Sequence, residues 1–223
     1  MGKVIGDILP LAIGVGISPL PIVAVILMLG TPRGRVNGPM FLLGWLAGAA
    51  IAGGIVLAIA DAVGISKGDP STGAYVFKIV LGVLLLVGAF RKWRNRPGEG
   101  EELTMPKWME AIDKFNWAKS LGLGALLSGV NPKNLVLIVA ASAAIAQAGI
   151  AVAQQVGALV VFVIIGTVGV LLPLTVYFLM RKRAVEILEG WKKWLAVNNA
   201  VVMIVLFLVF AAVLIGKGIV GLT

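Results

Sequence analysis

The residues best placed to do chemistry are Asn131-Pro132-Lys133-Asn134, set in an apolar stretch from about Leu121 to Ala146. Proline removes a backbone donor and clashes with the preceding turn, so a helix breaks there. In lipid, each carbonyl freed by the break costs several kcal/mol unless something nearby satisfies it. A lysine at a helix centre costs about 2.5 to 3.5 kcal/mol on insertion scales. Pro132 lies about a dozen residues past Ser120, roughly 18 Å at helical rise and so near the midplane of a ~30 Å core. Two readings stand open: a kinked helix whose Lys133 snorkels to the interface, or a binding site. In the second, the amides of Asn131 and Asn134 and the Lys133 ammonium suit an anionic or strongly polar headgroup.

A second break matches the first. Gly16-Ile17-Ser18-Pro19-Leu20-Pro21 and Gly129-Val130-Asn131-Pro132-Lys133-Asn134 share an order: glycine, apolar, small polar, proline, two variable positions. A β-branched-rich run follows each, and Pro19 and Pro132 are 113 residues apart, about half the chain. Ser18, Pro19, Pro21, Asn131, Pro132, Lys133 and Asn134 therefore form one expected substrate-binding set, with Leu20 in the place of Lys133.

The elements that must position these residues are membrane spans. The chain has 223 residues, 60% of them hydrophobic. Its mean hydropathy is +1.04, far above a soluble domain. Six spans are expected, near Val4–Leu29, Pro39–Ala60, Ala74–Phe90, Leu121–Ala146, Val156–Met180 and Asn199–Gly221. Each is close to the ~20 residues of a crossing. Three spans precede the midpoint, so the fourth enters from the side opposite to the first. The expected fold is all-α and polytopic, with six transmembrane helices in a 3+3 inverted repeat and broken helices one and four. Residues 1–90 form the first unit, 91–119 a cytoplasmic linker with an interfacial helix, and 120–223 the second unit.

Composition narrows the chemistry. There is no Cys and no His, which removes thiol redox chemistry, disulfides and the soft metal ligands. Asp7 and Asp61 lie near span ends and the other acids lie in loops, so no metal cage, carboxylate proton relay or acid pair stands at depth. No enzyme, cofactor or metal is expected. Lys133 is the residue on which any proton coupling would rest. A cleaved signal peptide is not expected, because the first apolar stretch is long, contains prolines and lacks a clear cleavage site.

Fourteen of the 19 basic residues fall in the first, third and fifth loops. By the positive-inside rule these loops are cytoplasmic, and both termini face outward. The net charge of +9 thus points to anionic lipid headgroups rather than to nucleic acid. Arg33 and Arg35 would stand at the cytoplasmic entrance. In the third loop, Arg94–Thr104 reads as a linker, and Trp108, Ile112 and Phe115 form a helical stripe over 107–119. Ala184–Leu195 carries a similar stripe of Leu188, Trp191 and Leu195. Both stripes read either as interfacial anchors or as gates of the cytoplasmic mouth. Pro173 offers a hinge or a plain kink. Asp61 reads as a solvated end charge or as an outer gate with Lys67 or Lys78, and Lys78 itself as snorkelling. Gly44, Gly48 and Gly53-Gly54 allow small-residue packing, either inside the chain or in a homodimer.

These features resemble the lysine exporter superfamily of small six-span transporters. Residues 17–29, Pro32-Arg33-Gly34-Arg35, Phe41-Leu42-Leu43-Gly44-Trp45 and Asn131-Pro132-Lys133-Asn134 are most similar to its peptidoglycolipid-addressing (GAP) family of actinobacteria. That resemblance implies a bacterial plasma-membrane protein helping to move envelope glycolipids outward. Ser18 departs from the glycine usual before this proline in the superfamily's amino-acid exporters. Three functions are expected in order: a flippase-like exporter of a lipid or glycolipid, a secondary exporter of an amino acid or other small polar metabolite, and a scaffold of an envelope-lipid complex docked through the third loop.

Overall fold

A computed structural model describes residues 1–62, 72–96, 111–180 and 183–222. Every regular element among them is helical. The first expected span is two helices, α1 (Gly2–Gly16) and α2 (Pro19–Leu29), meeting at 49°. Pro19 occupies the first helical position, where its missing N–H costs nothing. The second and third spans are α3 (Gly34–Ala62) and α4 (Thr72–Arg94). The fourth is again two helices, α5 (Trp117–Gly129) and α6 (Pro132–Ala146), meeting at 61°. The fifth and sixth are α7 (Val152–Met180) and α8 (Ala184–Val220).

By length and apolarity four helices can cross a membrane, and six spans result if each bent pair counts as one. The outward surface agrees with a bilayer environment. Ile51, Ile55 and Ile59 are exposed along one face of α3, and Val197, Val201 and Val205 along one face of α8. In water such stripes would be a large unpartnered apolar surface; in lipid they are the solvated face.

Two expectations need correction. Ala184–Leu195 is not a separate interfacial piece. It runs without interruption into the sixth span, giving a helix of 37 residues, about 55 Å long against a ~30 Å hydrocarbon core. No proline or glycine separates Trp191 from Asn199, so nothing ends the helix there. The second correction concerns the third loop. Its described part holds a single 3-10 turn, Ile112–Lys114, before α5 starts at Trp117. Ile112 is buried rather than lying on the interface. The Asn37 side-chain amide donates to the Phe115 carbonyl at 3.0 Å, fastening this loop to the start of α3. Asn116 ends the turn and caps α5 by accepting from the Lys119 backbone N–H at 3.0 Å. Lys67, Lys107, Trp108, Arg181, Lys182 and most of the 94–104 linker lie outside the described residues.

The glycines of span two serve internal packing. A Cβ on Gly44 would collide with the Leu121 carbonyl, one on Gly48 with Ser128 and Ala125, and one on Gly124 with the Phe41 carbonyl. Close backbone approach of α3 and α5 therefore requires glycine on both sides. Gly53 abuts Leu159, while Gly54 meets nothing. A second seam joins α1 to α7, where Gly169 lies against the Gly16 carbonyl and Gly166 against Val15. Between the seams, Phe41, Trp45, Phe162 and Leu137 are fully buried. Trp45 donates its indole N–H to the Gly166 carbonyl at 3.3 Å, tying span two to span five.

Candidate functional site

A helix ending inside a membrane leaves its last carbonyls without intrahelical donors. At the end of α1 each has a donor within reach. Ile17 N–H bonds the Ile13 carbonyl at 2.9 Å, and Ser18 N–H bonds that of Gly16 at 3.0 Å. The Ser18 hydroxyl reaches the Val15 carbonyl at 2.8 Å. The two that remain, Gly14 and Ile17, accept from the Lys133 ammonium at 2.6 and 3.3 Å.

Lys133 thus arrives from the other break. It sits in the first turn of α6, yet its side chain is buried and crosses to α1. Its third proton goes to Ser18 Oγ at 2.5 Å. An ammonium has three donors and no acceptor, so every donor is used. The position is also favourable electrostatically, because the C-terminal end of a helix carries partial negative charge. Snorkelling is therefore overturned for Lys133. Three oxygens at the broken end of α1 give it a polar shell at depth, which is what makes the charge tolerable there.

Asn134 completes the crossing. It is fully buried, and its amide donates to the Leu127 carbonyl at 2.9 Å. Its Oδ1 lies 3.0 Å from Ser18 Oγ. The serine hydroxyl accepts from Lys133 and offers its one proton to either Val15 or Asn134. Leu127 and Gly14 each stand five residues before their proline. The carbonyls at equivalent points of the two breaks are thus satisfied by adjacent residues, Asn134 and Lys133. Asn131 caps α6 by accepting from the Lys133 backbone N–H at 3.2 Å.

Of the expected site residues, the structure joins Ser18, Lys133 and Asn134 directly, with Asn131 at the edge of the network. Pro19 and Pro21 are buried in the first turn of α2, while Pro132 is exposed. Arg33 and Arg35 are exposed at the turn and start of α3 and make none of the hydrogen bonds of this network. Pro173 is buried inside the uninterrupted α7, and Asp61 is exposed at the end of α3.

Sequence reasoning missed a groove beside the first break. It is an apolar cavity of about 450 Å³ lined by Ile13, Ile17, Ile22, Val168, Trp191 and Trp194, among others. Ile17 belongs to both features, for its carbonyl accepts from Lys133 and its exposed side chain lines the groove. The stripe of Trp191 and Leu195 was the available signal. Its continuity with the sixth span, which brings it to span one, was not readable from local pattern.

The chain matches over residues 8–220 the family described as Sap, sulfolipid-1-addressing protein. No curated protein and no solved structure matches it. With nearly its whole length covered, the chain belongs to the sulfolipid-1-addressing family, a membership that goes with a membrane-lipid role.

Proposed function

We propose that this member of the sulfolipid-1-addressing family moves an anionic glycolipid, of the sulfated class its family description names, across the bacterial plasma membrane. The observation that carries the reading is the sharing of Ile17. On one side of that residue is a buried ammonium, and on the other an apolar groove open towards lipid. An amphiphile needs both in contiguity: polar partners for a headgroup and apolar walls for acyl chains. A small polar metabolite would use the first and leave the second without purpose.

In this reading an anionic oxygen of the headgroup takes the place of the Gly14 and Ile17 carbonyls on Lys133. Charge-assisted bonds to an anion are stronger than those to a neutral carbonyl. The exchange would leave the end of α1 short of donors, so the first break opens when the headgroup binds and recloses when it leaves. Ser18, Asn131 and Asn134 supply neutral bonds to the remaining polar atoms, and Pro19, Pro21 and Pro132 keep the breaks in place. Arg33 and Arg35 attract the headgroup on the cytoplasmic side, with both termini outside. Pro173 and Asp61 remain proposed hinge and gate positions.

The 3+3 inverted repeat belongs to the same proposal. Span four packs by glycine against span two, and span one packs by glycine against span five. A two-fold axis exchanging the halves would require this pairing.

Reconstitution tests the reading. Phosphatidylcholine vesicles carrying a fluorescent sulfated glycolipid in both leaflets are made with and without the purified chain. The expected result is faster loss of inner-leaflet probe to an outside quencher or extractant when the chain is present. Equal rates, alongside saturable amino-acid uptake by the same vesicles, would replace the lipid by a small metabolite.

A further inference from the structure

A second cavity, of about 400 Å³, lies at the end of the molecule where the chain termini and the α6–α7 turn gather. It is lined by Lys3 and Asp7 of α1, Tyr75 and Lys78 of α4, Gln147 after α6 and Lys217 of α8, over apolar residues including Leu11 and Ala140. Its volume falls within the ~300–1,000 Å³ of small-ligand sites. Its polar wall is unbalanced. Asp7 is the only carboxylate among the described lining residues, and it is bound by Lys217 at 2.7 Å. Lys3 and Lys78 remain as positive charge in excess. The Lys78 ammonium lies 5.1 Å from the centre of the Tyr75 ring. An aromatic face holds a cation without neutralising it. The wall also offers an acceptor, since the buried Oε1 of Gln147 has no donor among the described residues.

Two uncompensated ammoniums, a free amide oxygen and an aromatic wall describe the complement of one chemical class. Sulfate or phosphate oxygens suit the lysines, sugar hydroxyls suit the amide oxygen, and a pyranose face suits the tyrosine. We propose that this cavity is a second binding site, for the anionic sugar headgroup of a glycolipid. Its floor is close to the first site. Leu11 precedes Gly14 by three residues, about 4.5 Å of helix. The two sites thus lie along one path on α1, with Lys133 deep and Lys3, Lys78 and Lys217 at the mouth. The proposal uses the lipid-export reading only to choose the probe.

Nanodiscs of phosphatidylcholine with a tenth of a sulfated galactolipid, or of the same lipid lacking the sulfate, are assembled around the full chain. Co-purifying glycolipid is counted by native mass spectrometry. The wild-type chain is expected to retain the sulfated lipid over the neutral one. Lys78→Gln, and separately Lys3→Gln, are expected to cut that preference by about tenfold, the size of one charge-assisted bond. Both leave the Asp7–Lys217 pair intact, and thermal melts verify folding. Lys119→Gln, at an exposed lysine that lines neither cavity, is expected to leave the preference in place, which controls for loss of charge alone. Displacement by millimolar inorganic sulfate would support an anion site open to free sulfate. Retention in its presence would support a site that needs the whole headgroup. Equal retention of both lipids by the wild type, or an unchanged preference in both lysine variants, would overturn the proposal. It can fail while vesicle transport succeeds, and the converse also holds.

Discussion

The two helix breaks share a sequence pattern and differ in what satisfies them. The break in span four is met from within its own span: Asn131 caps the new helix and Asn134 reaches back to Leu127. The break in span one relies on another part of the chain, because Lys133 supplies the donors for Gly14 and Ile17. One break is thus capped mainly from its own span, and the other is completed by a side chain from a distant part of the same chain. Any movement of span four away from span one must expose the carbonyls of the first break and leave the second largely intact. The difference teaches that one lysine both neutralises a polar defect and couples the two halves.

The comparison breaks hardest at Lys133. Lys133→Met leaves the Gly14 and Ile17 carbonyls and Ser18 without their donor. At about 1–3 kcal/mol for each buried group left unsatisfied, the combined loss is expected near 3–5 kcal/mol. Thermal or denaturant unfolding in detergent checks it. A loss below that of Asn134→Leu would mean that the first break does not depend on the lysine.

The two glycine seams come next. Gly169→Ala pushes span one from span five through the Gly16 carbonyl, and Gly44→Ala pushes span four from span two through the Leu121 carbonyl. Each is expected to destabilise by about 1–3 kcal/mol, the usual effect of overpacking. Similar losses would sharpen the equivalence of the seams, and an effect at only one would break it.

Asn134→Leu removes the donor of Leu127 and one of two acceptors open to Ser18, and is expected to have an effect of about 1–3 kcal/mol. Asn131→Ala removes only a cap, about 1 kcal/mol. The smallest effect belongs to Gly54→Ala, which meets no atom. It is expected to be neutral or to stabilise by up to about 1 kcal/mol through better helix propensity. A large loss there would point to a surface that the single chain leaves open, such as a dimer contact.

Much of this was legible in the residues. Proline after a small polar residue marked the matched breaks at Pro19 and Pro132, whereas Pro10, Pro39 and Pro173 lie inside continuous helices. Hydropathy marked the first five spans to within about five residues, but the sixth helix begins at Ala184, well before the expected Asn199. What Lys133 would touch was not legible, since its partners are backbone carbonyls, and Gly14 and Ile17 differ from other residues in no side-chain feature that marks an acceptor. The groove was hidden for another reason. It forms where α1, α7 and the long α8 meet, so it depends on non-local packing that periodicity does not encode. Lys78 read singly as a snorkelling lysine; only the fold brings it to one cavity with Lys3 and Lys217.

The most direct test of the central claim follows export of a sulfated glycolipid in cells that depend on this chain, comparing Lys133→Met with the wild type. Membrane levels are matched, and Gly44→Ala, outside the groove, serves as a control destabilised without loss of the charge. We expect export by Lys133→Met to fall at least tenfold, a barrier change of about 1.4 kcal/mol, while the glycine variant keeps most of its activity. Export by Lys133→Met at the wild-type rate would contradict the assignment of the crossed breaks as the headgroup site.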